Sequence, residues 1–203
     1  MKTISQFFLF QSHLDLAHAY WKKSLEKGDI AIDATCGNGY DTLELAHLIF
    51  DKKKQQTGQL AALDRQMDAI EATRARLKEV FAEDVMQYIH LSKQCHSSFP
   101  DYFEMESVAL IVYNLGYLPG GNKSLTTMSS TTIQSLEAAL PLITPGGCIS
   151  ITCYPGHEEG KNEENMIKKF AAALSPRQWS SCHHTWLNRN QAPSLLILQK
   201  AQK

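Results

Sequence analysis

Short apolar runs that end on a polar residue alternate along this chain with amphipathic segments of helical period. That alternation limits the fold more than any other feature. The runs are Ile30–Ile32, closed by Asp33; Leu60–Leu63, closed by Asp64; Val85–Leu91; Val108–Tyr113, the most apolar; and Cys148–Cys153. Around them the spacing predicts helices over Leu14–Leu25, Asp41–Phe50, Met67–Phe81, Thr132–Ile143 and Glu163–Leu174. Gly28-Asp29 stops the first of these and Pro145-Gly146-Gly147 stops the fourth. Two closing strands are expected near Ser180–Leu187 and Ser194–Gln199. Five strand–helix units followed by a strand pair imply an α/β fold, a parallel sheet with helices on both faces. Ligands of such sheets lie beyond the carboxyl ends of the strands, near the topological switch point. The loops after Ile32, Leu63, Leu91, Tyr113 and Tyr154 are therefore the place to look.

Composition narrows the partners. A length of 203 residues fits one domain, 1–203, with 1–28 as an N-terminal helical segment. Twenty Lys+Arg against 21 Asp+Glu give a net charge of −1, which excludes nucleic-acid binding driven by bulk charge but leaves local patches open. Candidate patches are Lys22/Lys23, Lys52–Lys54, Lys123 and Arg189, of which the 52–54 run reads better as a solvated loop. The five cysteines are odd in number and form no C-x-x-C, so neither a disulfide framework nor a zinc site is expected, and no metal. The apolar run Phe7–Phe10 is too short for a signal-peptide core or a membrane span. The expectation is a reduced, cytoplasmic protein without a membrane partner, monomer or homodimer. His13 and His18, five apart, read as ordinary surface residues of the first helix.

The loop Asp33-Ala34-Thr35-Cys36-Gly37-Asn38-Gly39-Tyr40-Asp41 carries the chemistry. Its two glycines let the backbone turn sharply and approach a ligand closely. A dinucleotide fingerprint would need a third glycine where Thr42 stands, and no G-K-[ST] follows to make a phosphate loop. What remains is acid-x-x-x-G-x-G, with Asp64 at the end of the next strand. That pattern suits an adenosine carrying an amino-acid tail and no phosphate, namely S-adenosylmethionine. Asp64 would accept hydrogen bonds from both ribose hydroxyls.

The segments DATCGNGYDT, YNLGYLPGGNKSLTT with TTIQ behind it, PGHEEG and LNRNQAP together resemble a small family of class I S-adenosylmethionine-dependent methyltransferases. Long labelled rRNA methylases, its members are associated with tRNA 5-(aminomethyl)-2-thiouridine methylation. The resemblance runs from Ile30 to the C-terminus. It implies a Rossmann-like class I methyltransferase fold, a mostly parallel seven-stranded sheet with an antiparallel C-terminal strand. It also implies S-adenosylmethionine contacts from Asp33, Gly37, Asn38, Gly39, Tyr40, Asp41, Asp64, Gln66, Cys95 and His96. The expected reaction is methyl transfer to the aminomethyl nitrogen of the wobble uridine, with the anticodon region of tRNA as partner. Alternatives are an rRNA base or small-molecule methyltransferase, or a non-catalytic adenosyl-binding module that recruits RNA.

Methyl transfer from a sulfonium is an in-line displacement that needs alignment and exclusion of water. An amine acceptor must also be neutral, although an alkylammonium has a pKa of about 10. Asn114-Leu115-Gly116-Tyr117 stands where related amino-methyltransferases carry an Asn-Pro-Pro-Tyr-like motif, with Leu-Gly replacing the stiffer Pro-Pro. By resemblance, the Asn114 side-chain oxygen and the Leu115 carbonyl accept the amine's N–H bonds, and Tyr117 stacks on the uracil. His157 and the Asn188-Arg189-Asn190 turn lie where a substrate lid would form. Arg189 would meet RNA phosphate or a base. His157 would relay a proton or merely close a turn.

Overall fold

The computed structural model describes residues 12–50, 58–116 and 129–202; Tyr117, Lys123 and Lys52–Lys54 lie outside them. The helices are α1 (His13–Ser24), α2 (Tyr40–Ile49), α3 (Met67–Lys78), α4 (Glu83–Met86), α5 (Ser129–Ala139) and α6 (Glu158–Ala173). The strands are β1 (Ile30–Asp33), β2 (Gln59–Asp64), β3 (Ile89–Lys93), β4 (Val108–Asn114), β5 (Ile143–Cys153), β6 (Trp179–His184) and β7 (Ser194–Lys200). One seven-stranded sheet runs in the order β3-β2-β1-β4-β5-β7-β6. β1 to β5 are parallel, and β7 is inserted antiparallel between β5 and β6. The chain order reverses between β1 and β4, so the loops that leave these two strands diverge and open a crevice.

Each face of the sheet has its own apolar layer. Ala17 and Trp21 of α1, Leu45, Ala46 and Ile49 of α2 and Leu77 of α3 pack on one face. Leu136 and Ala139 of α5 and Ile167 and Ala171 of α6 pack on the other. The helices lie on both faces, as the alternation required. α1 begins with a capping box: the Asp15 N–H donates to Ser12 Oγ at 3.1 Å, and the Ser12 N–H donates to the Asp15 carboxylate. The pattern Ser-x-x-Asp before an apolar-periodic run is a sequence signal for that start.

The largest departures from the expected boundaries are four or five residues. Val85 and Met86 belong to the short helix α4, and the third strand begins at Ile89. Both residues are buried against the first apolar layer, so their apolarity records burial and not extension. The fourth predicted helix ends at Ala139, and Ile143 opens β5, which runs straight through Pro145-Gly146-Gly147. A register shift opposite Val108 and Leu110 absorbs the irregularity there. α6 starts five residues early, at Glu158, because His157 caps it. Among the described residues no helix is long and apolar enough to cross a membrane.

Candidate active site

The loop between β1 and α2 is held from below and from the side. Asp33 is 1% exposed, and its carboxylate accepts from the Thr35 N–H at 3.1 Å and from Thr42 Oγ1 at 2.6 Å. Burial, then the charge of Asp41, pushes its pKa up to about 7. Asp33 is thus spent on shaping the loop. Thr73 of α3 donates to the Gly37 carbonyl at 3.0 Å, and Arg76 Nε donates to the Asn38 carbonyl at 2.7 Å. Gly39 caps α2 with φ +78°, and a Cβ there would sit 2.8 Å from the Thr73 Cα. Only glycine lets loop and helix approach this closely. The exposed Tyr40 ring lies under the Arg76 guanidinium, 3.6 Å from its carbon, which fastens loop to α3 again.

Asp64 ends β2 half-buried. One of its oxygens accepts from the Gly37 N–H at 3.1 Å and the other from the Gln66 N–H at 2.8 Å. Each carboxylate oxygen has a second lone pair to offer. Gln66 leads into α3 without using its side chain as a cap. Asp33, Asp41 and Asp64 lie close enough that the charges of the last two both raise the first. Such a trio favours a cationic ligand.

On the other side of the crevice, β4 ends at Asn114. Its N–H donates to Thr35 Oγ1 at 2.7 Å, and its side-chain amide donates to Asp41 Oδ2 at 3.1 Å. Asn114 Oδ1 is buried and has no hydrogen-bond partner among the described residues. His18 Nε2 lies 3.0 Å from Asp41 Oδ1. Tyr154, just past β5, shares a hydrogen bond of 3.1 Å with His13 Nε2. Burial, then the Asp41 charge, pushes the Tyr154 hydroxyl up to about 12, while the Asn114 side chain pulls the other way. Burial holds His13 below the usual histidine range. α1, α2, β4 and the end of β5 thus bring His18, Asp41, Asn114 and Tyr154 together.

The remaining predicted residues scatter. Cys95 is half-buried in the loop after β3. His96 is 4% exposed; its ring stands edge-on to Tyr113, and its Nε2 lies 3.5 Å from Thr132 Oγ1, which donates to the buried Glu163 at 2.7 Å. Burial, then Arg65, drops its pKa to about 4, so it is a neutral histidine under α5. The Leu115 side chain is in the core and its N–H bonds the Thr152 carbonyl at 2.9 Å, which leaves only its carbonyl to face a substrate. His157 closes a turn: its Nδ1 accepts from the Gly160 N–H at 3.1 Å as the cap of α6. The same Nδ1 lies 3.3 Å from the exposed Glu159 carboxylate. Gly160 lets the turn close, because a Cβ there would run into the Tyr154 carbonyl and the His157 ring. Arg189 and Asn190 are exposed in the β6–β7 turn, where the Arg189 guanidinium covers the Trp186 ring at 4.0 Å. Strand directions put that turn at the same edge of the sheet as Asn114 and Asp64. Lys22 is paired with Glu44 at 3.0 Å. Among the described residues no group of three or more His, Cys, Asp or Glu side chains is arranged to hold a metal ion.

Sequence reasoning missed His13, His18 and Tyr154. The expectation that the histidines are ordinary surface residues is corrected: one meets the Tyr154 hydroxyl and the other the Asp41 carboxylate. Only Tyr154 carried a signal, a polar aromatic at the carboxyl end of a parallel strand.

Comparison with known proteins agrees with this geometry. Residues 60–200 match the family described as "Putative rRNA methylase". A protein of Arabidopsis thaliana named tRNA (mnm(5)s(2)U34)-methyltransferase, chloroplastic, is 38% identical over 189 residues, which is 93% of this chain and 69% of that protein. A crystal structure described as a putative rRNA-methylase from Clostridium thermocellum superposes with a TM-score of 0.86 at 31% identity, covering 94% of this chain and 98% of that one. A Streptococcus mutans structure, described as a putative methyltransferase in complex with SAH, superposes with a TM-score of 0.80 at 28% identity, covering 94% and 99%. The fold, the crevice at the switch point and these matches together make the chain a member of the "Putative rRNA methylase" family, built on a Rossmann-like methyltransferase fold.

Proposed function

We infer that this protein transfers a methyl group from S-adenosylmethionine to the aminomethyl nitrogen of 5-aminomethyl-2-thiouridine at the wobble position of tRNA. The observation that carries the reading is the buried oxygen of Asn114, without a partner among the described residues, an acceptor held at the switch-point crevice with its amide end already tied to Asp41. A buried acceptor left without a donor costs roughly 1–3 kcal/mol, and an amine N–H supplies the missing donor. The relative's name supports the same substrate.

The residues on the donor side fit S-adenosylmethionine. That group, when bound, supplies an electrophilic methyl on a sulfonium. Asp64 would take the ribose hydroxyls on its free lone pairs, with Gln66 beside it. The Gly37–Asn38–Gly39 turn, too tight for a Cβ at Gly39, would wrap the amino-acid tail. Cys95 and His96 lie in the loop that would line the adenine; His96, buried and neutral, would support that loop and not touch charge. Asp33 and Tyr40 would act by holding the loop, and Asp41 by favouring the cationic end of the ligand.

On the acceptor side, Asn114 Oδ1 and the Leu115 carbonyl would accept N–H bonds from the amine and aim its lone pair. The nitrogen–carbon bond forms as the carbon–sulfur bond breaks, and the product ammonium then gives its proton to solvent. Tyr117 would stack on the base. Arg189, Asn190 and Lys123 would meet the RNA. On this reading the protein works in the cytoplasm with its thiols reduced, as its odd number of unpaired cysteines suggests.

Mass spectrometry of tRNA nucleosides from a strain lacking the protein tests the reading. Accumulation of the unmethylated aminomethyl nucleoside, removed by adding back the purified protein with S-adenosylmethionine, is the expected result. An unchanged tRNA nucleoside profile overturns it.

A further inference from the structure

The first helix precedes the segments from Ile30 onward that carry the sequence resemblance, yet it supplies a contact to the acceptor side of the crevice. His18 Nε2 lies 3.0 Å from Asp41 Oδ1, and the other oxygen of that carboxylate receives the Asn114 amide at 3.1 Å. A carboxylate only accepts, so the bond puts the proton on Nε2. Asp41 therefore spans two donors from two elements, one on each oxygen. The His18 ring packs on Trp21 with 4.6 Å between ring centres, and Trp21 is 2% exposed, anchored in the apolar layer beneath α1. The capping box at Ser12 and Asp15 fixes where α1 begins. The ring is thus held on a rigid element.

The two ends of an asparagine amide differ little in shape, so its orientation is set by what it bonds. Turned over, Asn114 would press its oxygen against the Asp41 carboxylate. Two acceptor oxygens facing each other forbid that, provided the plane of the Asp41 carboxylate is held. His18 is what holds it from the far side. We propose that His18 is a positioning residue of the methyl-transfer site: acting through Asp41, it keeps the Asn114 oxygen turned into the crevice toward the acceptor amine. The proposal rests on the reading of Asn114 given above, and it makes α1 part of the working site and not only a lid on the sheet.

The test is a double-mutant cycle in single-turnover methyl transfer to aminomethyl-bearing tRNA at saturating S-adenosylmethionine. His18→Ala is expected to slow the step about tenfold, since small misplacements of an aligning group cost rate. S-adenosylhomocysteine affinity should fall by less than the rate does, because Asp41 itself stays in place and the ribose and tail contacts come from Asp64 and the Gly37–Gly39 turn. His18→Gln, which keeps an N–H at the same reach, should recover most of the rate. In the Asn114→Ala background, His18→Ala should slow nothing further. A second arm uses no activity: the Asn114 side-chain amide resonance, identified by its loss in Asn114→Ala, should exchange with water faster in His18→Ala than in wild type. Full multiplicativity of the two substitutions, failure of Gln to rescue, or parallel loss of rate and S-adenosylhomocysteine binding overturns the proposal. If wild-type protein leaves the tRNA unmethylated, the functional reading fails, and the amide-exchange arm decides the positioning role by itself: unchanged exchange refutes it.

Discussion

The Asn114 side-chain amide donates to Asp41 Oδ2 at 3.1 Å, and this bond joins the end of β4 to the first turn of α2. The two elements leave the sheet on opposite sides of the switch point, so the bond spans the mouth of the crevice. Its consequence is directional. With the NH2 group tied to the carboxylate, the oxygen faces away from Asp41, buried and without a partner among the described residues.

Asn114→Ala should accordingly lower kcat by on the order of a hundredfold, a barrier increase of ~2.7 kcal/mol, with donor affinity nearly intact. Asn114→Asp keeps an acceptor but sets a second carboxylate against Asp41 and favours the ammonium form of the substrate. That variant should be slow near neutral pH and recover in part as pH rises and the amine deprotonates. Single-turnover rates at two pH values check both. Wild-type rates in a folded Asn114→Ala protein would remove Asn114 from the mechanism.

Asp64 holds the Gly37 and Gln66 N–H groups and still has lone pairs for two hydroxyls. Asp64→Ala should weaken S-adenosylmethionine binding at least about tenfold, ~1.4 kcal/mol. Asp64→Asn, which keeps one acceptor oxygen, should lose less. Calorimetry that finds equal affinities for the folded variants would sink the ribose assignment.

Gly39→Ala forces a side chain into the left-handed region and a Cβ to 2.8 Å from the Thr73 backbone. Left-handed backbone alone costs roughly 1–2 kcal/mol, and the clash adds to it. We expect a loss of about 2–3 kcal/mol, seen as roughly 5–10 °C in Tm for a chain of this size. An unaltered melting temperature would mean that the loop and α3 are not held as tightly as Thr73 and Arg76 indicate.

His96 has a folded pKa of about 4, held down chiefly by burial, against an ordinary value of 6.5. Between these values the unfolded chain binds a proton that the folded chain refuses, so stability falls as pH drops from about 6.5 to about 4. The full difference is on the order of 3 kcal/mol. Asp33, raised to about 7 from 3.8, contributes in the opposite sense: the fold keeps a proton that the unfolded chain releases, and stability falls as pH rises through that window. The two slopes offset each other in wild type. Urea unfolding at pH 7 and pH 4 should therefore show His96→Gln becoming more stable relative to wild type on acidification. A constant difference between the two proteins would contradict the buried neutral histidine.

With a net charge of −1, tRNA must be gripped by few phosphate contacts. Binding measured across salt concentrations should give a log–log slope shallower than about −6. A steeper slope would require a larger basic surface than the few local patches named above.

What the sequence determined by itself is the order of the units and the level at which the chemistry sits. Apolar runs closing on Asp33, Asp64 and Asn114 are local signals, because a strand buried on both faces must be apolar along its length and turn polar where it leaves the sheet. The glycine turn is equally local. Boundaries failed where burial and extension look alike, as at Val85 and Met86, which are buried in a helix. His157 shows a different gap: a lone histidine after a strand gives no sign that it caps the next helix, and only the position of the Gly160 N–H shows that it does. Tertiary structure alone decided that α1 meets the candidate site. His13 and His18 point to different partners, Tyr154 far along the chain and Asp41 on the next helix, and neither partner leaves a periodic trace. Periodicity records which face of an element is apolar; which two polar groups meet across a sheet is set by how the layers stack, and that information exists only once they have packed.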